Sequence, residues 1–340
     1  AIEAHASTTK VTLAGVLKNL NRSADQGGLA PQAYCLNSWF RWNAGDRDVA
    51  YWYPQGTSGS ATGVPGVGQY NGRYVVLVSW YHKPDKDPST SVNKGVRLSV
   101  ADITTLSATK YRHVLLVEPT GTAGYKPIKI HAGGVAWYKG WLYVADTSNG
   151  LRVFDMDRLI QVQTGDKDAV GLVASKNQYH AFGYRYVLPQ LNRYSLCAKS
   201  CCARFSFVSV DLTSTPHSLI TGEYSAGNFK GRLMRWPLDP VSGKLATRGG
   251  VVVSSAAYFP GVKNMQGGAA VGSRLWVSSG ADTGIYKASL HTALVGQAIK
   301  AYGYARGPED LHYSPGSTNL WSNTEFPGSR YVLSVKASKL

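Results

Sequence analysis

The apolar residues of this chain fall in short runs broken by Gly, Pro, Asn and Ser, and one arrangement of them recurs five times. A run built around a Leu is followed by a polar turn, a Gly, and a second run. The first runs are 74–81, 141–146, 218–224, 274–279 and 319–325, and the second runs start at Gly95, Gly150, Gly231, Gly284 and Gly328. Their anchors, Leu77, Leu142, Leu219, Leu275 and Leu320, lie 45 to 77 residues apart. Each copy predicts two strands joined by a turn.

Self-similarity at roughly 40–50 residues or more marks an array of equivalent sheets. Four-stranded sheets set around an axis, a β-propeller, are the common all-β form of such an array. Five blades are visible, and the longer gaps leave room for five to seven. Candidate strands of further blades are 179–188, 204–211 and part of 33–56. Residues 1–28 read as an N-terminal segment, and 29–340 as a single propeller domain. Pairing of N- and C-terminal strands would remove the open edges. The expected partners are Lys10-Val-Thr-Leu and Val332-Leu-Ser-Val.

A second motif precedes several anchors: Gln55-Gly56, His131-Ala-Gly-Gly, Gln266-Gly-Gly-Ala and Glu309-Asp310. Gly and Ala suit inner strands that crowd together around an axis. The polar head of each such strand would face the channel mouth, where convergent polar groups make a binding site.

Composition narrows the partners. The formal net charge is +16, with Lys and Arg scattered singly rather than in runs. Such a surface attracts anions. No helix-turn-helix, zinc-finger or RNA-binding signature is present, so nucleic acid is not the expected partner. No run of about 18 apolar residues predicts a membrane-spanning helix. A start at Ala1 and four Cys lead us to expect a secreted monomer that has lost a signal peptide. Two disulfides are expected, one tying Cys35 to the cluster Cys197, Cys201 and Cys202.

Three constellations could carry chemistry. The first is the ring of strand heads, Gln55, His131, Gln266, Glu309 and Asp310, with Tyr81 and His82 beside it as further substrate-binding candidates. His131 stands where its counterparts are Gln, and only His titrates near neutral pH. The second is 179–186, which contains His180, Tyr184 and Arg185. Arg binds a carboxylate in bidentate fashion, and a neighbouring His or Tyr can move a proton. That set, with His131, suits β-elimination at a uronate. The third is Asp146, Glu223 and Glu325, at like places after the first runs. These could form an acid–base pair, but the favoured reading is that each bonds a turn. Phosphate-loop, dinucleotide, zinc-protease and Gly-x-Ser-x-Gly motifs are absent.

The strand pairs and Gly-Gly-Ala inner strands, over 52–340, resemble those of the secreted β-propeller proteins. That group includes polysaccharide lyases, glycosidases, lactonases and lectins. The resemblance implies a secreted enzyme that cleaves an anionic polysaccharide by β-elimination. Its rival is a glycosidase or phosphodiesterase built on Glu309 and Asp310, with Ca2+ as a candidate cofactor. A non-catalytic sugar-binding propeller is the third reading. It is disfavoured because the strand heads have diverged, and a lectin repeats its site.

Overall fold

Each of the five predicted strand pairs forms the middle of a four-stranded antiparallel unit. The structure is a computed structural model that describes residues 2–121, 123–196, 203–282 and 287–340. The chain is all-β, about 47% strand and 9% helix. From inner to outer strand, unit one is Trp52–Gly59, Val75–His82, Val96–Asp102 and Lys110–Thr120. Unit two is Val135–Tyr138, Trp141–Asp146, Gly150–Asp155 and Tyr186–Ser195. Unit three is Phe207–Asp211, Ser218–Gly222, Leu233–Pro237 and Ala256–Tyr258. Unit four is Met265–Val271, Arg274–Ser279, Ser289–Leu294 and Lys300–Gly303. Unit five is Pro308–Ser314, Asn319–Thr324, Tyr331–Lys336 and, from near the N-terminus, Leu36–Arg41.

The strands read as unbroken apolar runs because both faces of each sheet are covered. In unit one, Val75 and Leu77 enter a core shared with Leu142 and Val144 of unit two. The alternate residues Val76, Val78 and Trp80 enter a core shared with Phe40, Trp321 and Val332 of unit five. Tyr143 and Ala145 face Val208 and Leu219 of unit three. Phe207 and Ile220 face Leu275 and Val277 of unit four. Trp276 and Leu290 face Leu311 and Leu333 of unit five. Five cores therefore join the five units in a closed cycle, which is compatible with a propeller-like fold. Units one and two also share a sheet, because Lys110–Thr120 pairs in parallel with Tyr186–Ser195. The ends of that eight-strand path, Trp52–Gly59 and Val135–Tyr138, pack together, so this sheet nearly closes like a barrel.

The inner strands approach as closely as their glycines allow. A Cβ on Gly134 would stand 2.2 Å from the Val208 nitrogen, and one on Gly267 would stand 2.6 Å from the Asp310 Cα. Hydroxyls also bridge neighbouring units. Trp137 N donates to Ser58 Oγ, Ser209 Oγ donates to the Gly268 carbonyl at 2.6 Å, and Ser278 Oγ donates to the Glu309 carbonyl at 2.7 Å.

Several expectations need correction. The strand that pairs with Tyr331–Lys336 is Leu36–Arg41, not the segment after Lys10. In that segment Thr9–Val11 pairs with Leu159–Gln161 and Leu13–Leu17 is a short helix. Leu13, Val16 and Leu17 follow the i, i+3, i+4 period of a helix and pack into the core between units one and two. No further unit arises among the described residues. Gln178–Ala181 pairs with Val170–Val173 in a two-stranded hairpin, and Phe207–Asp211 opens unit three. The start of the second run read from Gly284 lies outside the described residues, and Ser289–Leu294 forms its strand. Cys35 is a free thiol, so the expected tie is not made; Cys197, Cys201 and Cys202 lie outside the described residues.

Candidate functional site

Units one, four and five carry a register shift at the same place in the inner strand, between Pro54 and Thr57, Met265 and Gly267, and Pro308 and Leu311. Bulges of this kind leave the extra residue out of the ladder and re-aim its side chain. The re-aimed residues are Gln55, Gln266, Glu309 and Asp310, all four expected from the sequence. Gln55 Nε2 donates to Glu325 Oε2 at 3.3 Å, and Gln266 Nε2 donates to Glu309 Oε1 at 3.4 Å.

Asp310 is wholly buried and acts as a clasp. Its Oδ2 accepts the backbone N–H groups of Thr57 at 3.2 Å and Val135 at 3.0 Å, and its Oδ1 accepts that of Leu311 at 3.0 Å. One carboxyl thus joins the inner strands of units one, two and five. Burial pushes its pKa well above the ordinary range, against the three donors.

Glu309 and Glu325 form the electrostatic centre. Burial, then the Glu325 charge, then Asp310 push Glu309 well above the usual carboxylate range. Burial also raises Glu325, but Gln55, Lys83 and Arg330 oppose the rise. The environments therefore separate the two acids: Glu325 ionises first and Glu309 keeps its proton. Lys83 Nζ lies 4.0 Å from the centre of the Tyr53 ring, which stacks at 5.5 Å on Tyr81. Tyr81 in turn packs at a tilt on His131, ring centres 4.6 Å apart. Burial and the charges of Glu325 and Glu309 raise the Tyr81 hydroxyl. His131 is crowded by protein, and that crowding with Lys83 pushes it down to about 4. The residue nevertheless keeps an exposed edge to solvent. Arg330 fixes the wall. Its Nε donates to the Glu325 carbonyl at 2.8 Å, and its Nη1 donates to the carbonyls of Asp46 at 2.8 Å and Val49 at 2.6 Å.

A recess of about 630 Å³ opens beside this centre, with Glu325 and Gln266 in its wall. Tyr224 and Phe326 present exposed rings to it, Asn264 an amide, and Arg306 a guanidinium 5.2 Å from the Phe326 ring. Aromatic faces with planar amides and carboxyls are the groups that stack on sugar rings and bond their hydroxyls.

The other expected residues lie elsewhere. His82 is a buried clasp of its own loop: Lys94 N donates to its Nδ1, so Nε2 carries the proton and donates to Asp87 Oδ2 at 2.9 Å. His180 sits in the hairpin outside the five units, buried, with neither ring nitrogen hydrogen-bonded. Arg185 Nε donates to Gln161 Oε1 at 3.2 Å. The Tyr184 hydroxyl accepts from Arg97 Nη1 at 3.4 Å, and Arg97 also binds buried Asp46. The segment 179–186 thus serves outer strands and gives nothing to the recess. Asp146 is held by the side chains of Arg152 and Asn149 at 2.9 Å, whereas Glu223 takes Arg232 at 2.6 Å and also the backbone N–H groups of Arg204 and Arg232, so the turn-bonding reading holds for Glu223 alone. It fails for Glu325, which faces the recess. Lys83, Tyr53, Arg330, Tyr224 and Phe326 were not legible as site residues. Only the first two had a signal, their closeness to Gln55 and Tyr81 in the register of unit one.

No group of three or more His, Cys, Asp or Glu side chains that could hold a metal ion occurs among the described residues, so none is assigned to Ca2+. Nor does any described helix have the length and apolarity to cross a membrane. No protein-family model matches the chain, and no characterised protein matches it in sequence.

Proposed function

We propose that the chain is a five-bladed β-propeller whose channel mouth hydrolyses a glycosidic bond in an anionic glycan. The observation that carries this reading is the pair of a buried Glu309 and a half-buried Glu325 in the recess wall, close enough for the Glu325 charge to act on Glu309. Glycoside hydrolysis uses one protonated carboxylic acid and one carboxylate. Glu309 supplies the proton to the leaving oxygen. Glu325, its anion favoured by Lys83 and Arg330, acts at the anomeric carbon directly or through water. Tyr224 and Phe326 stack on the sugar rings, while Arg306 and Lys83 attract the substrate's negative charge.

The test is release of reducing ends from polygalacturonate, alginate and hyaluronan. Glu325→Gln should fold normally and lose turnover by roughly 100-fold or more, the scale of a lost acid or base. Wild-type turnover in that variant would end the proposal, as would failure to cleave or bind any anionic glycan. Binding should weaken as salt rises, because screening shortens the reach of surface charge to about 8–10 Å. The contact of His131 with Tyr81 beside Lys83 favours β-elimination as the second reading. That route gives an unsaturated uronate with ultraviolet absorbance and needs His131 as base, so His131→Gln would abolish it. Reducing ends without that absorbance separate hydrolysis from elimination.

A further inference from the structure

The inner strands have a second end. Trp52–Gly59 and Pro308–Ser314 run from the acid pair to Gly59 and His312, where units one and five leave another cavity of about 530 Å³. Val75, Val76, Ile103, Leu106 and Trp321 are among its walls, and no charged side chain lines it.

Two polar groups in this cavity are unanswered. His312 is 3% exposed, and neither ring nitrogen has a hydrogen-bond partner among the described residues. Its Nε2 lies over Gly59, 3.1 Å from where a Cβ would stand. Asn319 is 7% exposed, and its Oδ1 is buried without a partner. Register brings the two together. His312 pairs with Trp321 and Ser314 with Asn319, so His312 and Asn319 are diagonal neighbours on one face, roughly 7 Å apart. One hydroxyl fits between them. Burial pushes His312 down to about 4. At neutral pH the ring therefore offers one N–H donor and one acceptor nitrogen, and Asn319 adds an acceptor.

We propose that this cavity is a second small-molecule site, for an uncharged apolar ring bearing a hydroxyl that is held between His312 and Asn319. The apolar walls supply most of the contact, and the two unanswered groups choose the hydroxyl. A charged ligand would lose its water and meet no counter-ion. The inference is independent of the chemistry proposed at the acid pair.

The probes are p-cresol, toluene and p-toluate, titrated into the whole chain by calorimetry and ligand-observed NMR. We expect p-cresol to bind at one site per chain. Toluene should bind roughly tenfold more weakly, because it leaves both polar groups unpaired. Binding of p-toluate should be undetectable. Gly316 lines the cavity, has no heavy atom within 4 Å of its would-be Cβ and no left-handed φ, so Gly316→Trp should fold normally and exclude p-cresol and toluene. His312→Phe should erase the preference for p-cresol over toluene. The proposal falls if the wild type shows no saturable p-cresol binding, which would leave a cavity for water only. It falls equally if p-cresol and toluene bind alike, or if p-cresol binding survives both substitutions.

Discussion

Asp310→Ala should loosen the meeting point of three units at once. The wild-type carboxyl accepts N–H groups from Thr57, Val135 and Leu311 at 3.0–3.2 Å, with no exposed surface. Each buried donor that loses its acceptor costs about 1–3 kcal/mol. Three of them, partly relieved by neighbouring carbonyls, come to about 5 kcal/mol. At about 2.1 cal/mol/K per residue, a chain of this length unfolds with an entropy near 0.7 kcal/mol/K. The melting temperature should therefore fall by about 7 °C. Asp310→Asn is the graded control. Its oxygen can still accept from Thr57 and Val135, but its amide nitrogen turns a donor toward Leu311 N. We expect a loss of about 2 kcal/mol, or about 3 °C, by the same conversion. The order wild type, Asn, Ala does not depend on whether Asp310 carries a proton. Differential scanning calorimetry with circular dichroism at fixed pH measures it. An Ala variant that melts within a degree of wild type would show that the clasp holds nothing, and that the inner strands are joined by packing alone.

Two further outcomes concern stability. His113 is buried and pushed down to about 3, by burial and then by Arg97, against the pull of Asp46. Its unfolded value is about 6.5. Below that pH the unfolded chain takes up a proton that the folded chain refuses, so this site's contribution to stability falls as pH falls from about 6.5 toward 3, by up to about 1.4 kcal/mol per pH unit. Glu309 has the opposite sign. Its folded pKa is raised, so stability is lost as pH rises above the ordinary carboxylate value. Urea unfolding of wild type against His113→Gln, and against Glu309→Gln, should give difference curves of opposite slope across pH 4–6.5; two flat curves would refute both assignments. At the seam between units two and three, Gly134→Ala meets backbone at 2.2 Å while Gly140→Ala meets nothing within 4 Å. The first should destabilise by about 1–3 kcal/mol or more and the second should be near neutral. Equal melting temperatures would contradict the packing of the inner strands.

The sequence carried the middle of every unit, because strands covered on both faces read as apolar runs and their hairpins recur. It carried the heads Gln55, Gln266, Glu309 and Asp310 for the same reason, since position in the repeat fixes position in the ring. It misled where apolar residues were few. Leu13, Val16 and Leu17 have a helical period, yet the segment is short enough to pass for a strand. The strand that does pair there, Leu36–Arg41, lies on an outer edge with only Phe40 buried and lacks the anchor pattern. Chemistry was harder to read than fold. His180, Tyr184 and Arg185 are near one another in sequence, and that nearness suggested a site, but His180 lies in a hairpin strand while Tyr184 and Arg185 lie in the connection after it and bond Arg97 and Gln161. Lys83 and Arg330 reach the Tyr53 ring and the Glu325 charge from separate strands and loops, a convergence that no local pattern records.

The three carboxylates at equivalent turns, Asp146, Glu223 and Glu325, show how a repeated scaffold acquires one site. In units two and three an Arg across the hairpin, Arg152 or Arg232, takes the carboxylate. In unit five the corresponding cation, Arg330, is spent on the carbonyls of Glu325, Asp46 and Val49, and the Glu325 carboxyl turns to Gln55 and the recess. The consequence is a double dissociation. Asp146→Asn removes one of two carboxylates from a nearly buried Arg that keeps Glu118 at 2.9 Å, so it should cost about 1–3 kcal/mol, with turnover on any cleaved glycan unchanged at temperatures where the variant is folded. Glu223→Gln should cost less, because Arg232 is 29% exposed and screened by water. Glu325→Gln removes a carboxyl that burial already penalises, so it should leave stability equal or slightly higher while turnover collapses. Denaturant midpoints and single-substrate kinetics on the three variants give both readouts. If Glu325→Gln destabilises as Asp146→Asn does and keeps its turnover, the three positions are one structural motif repeated, and the recess owes its chemistry to other residues.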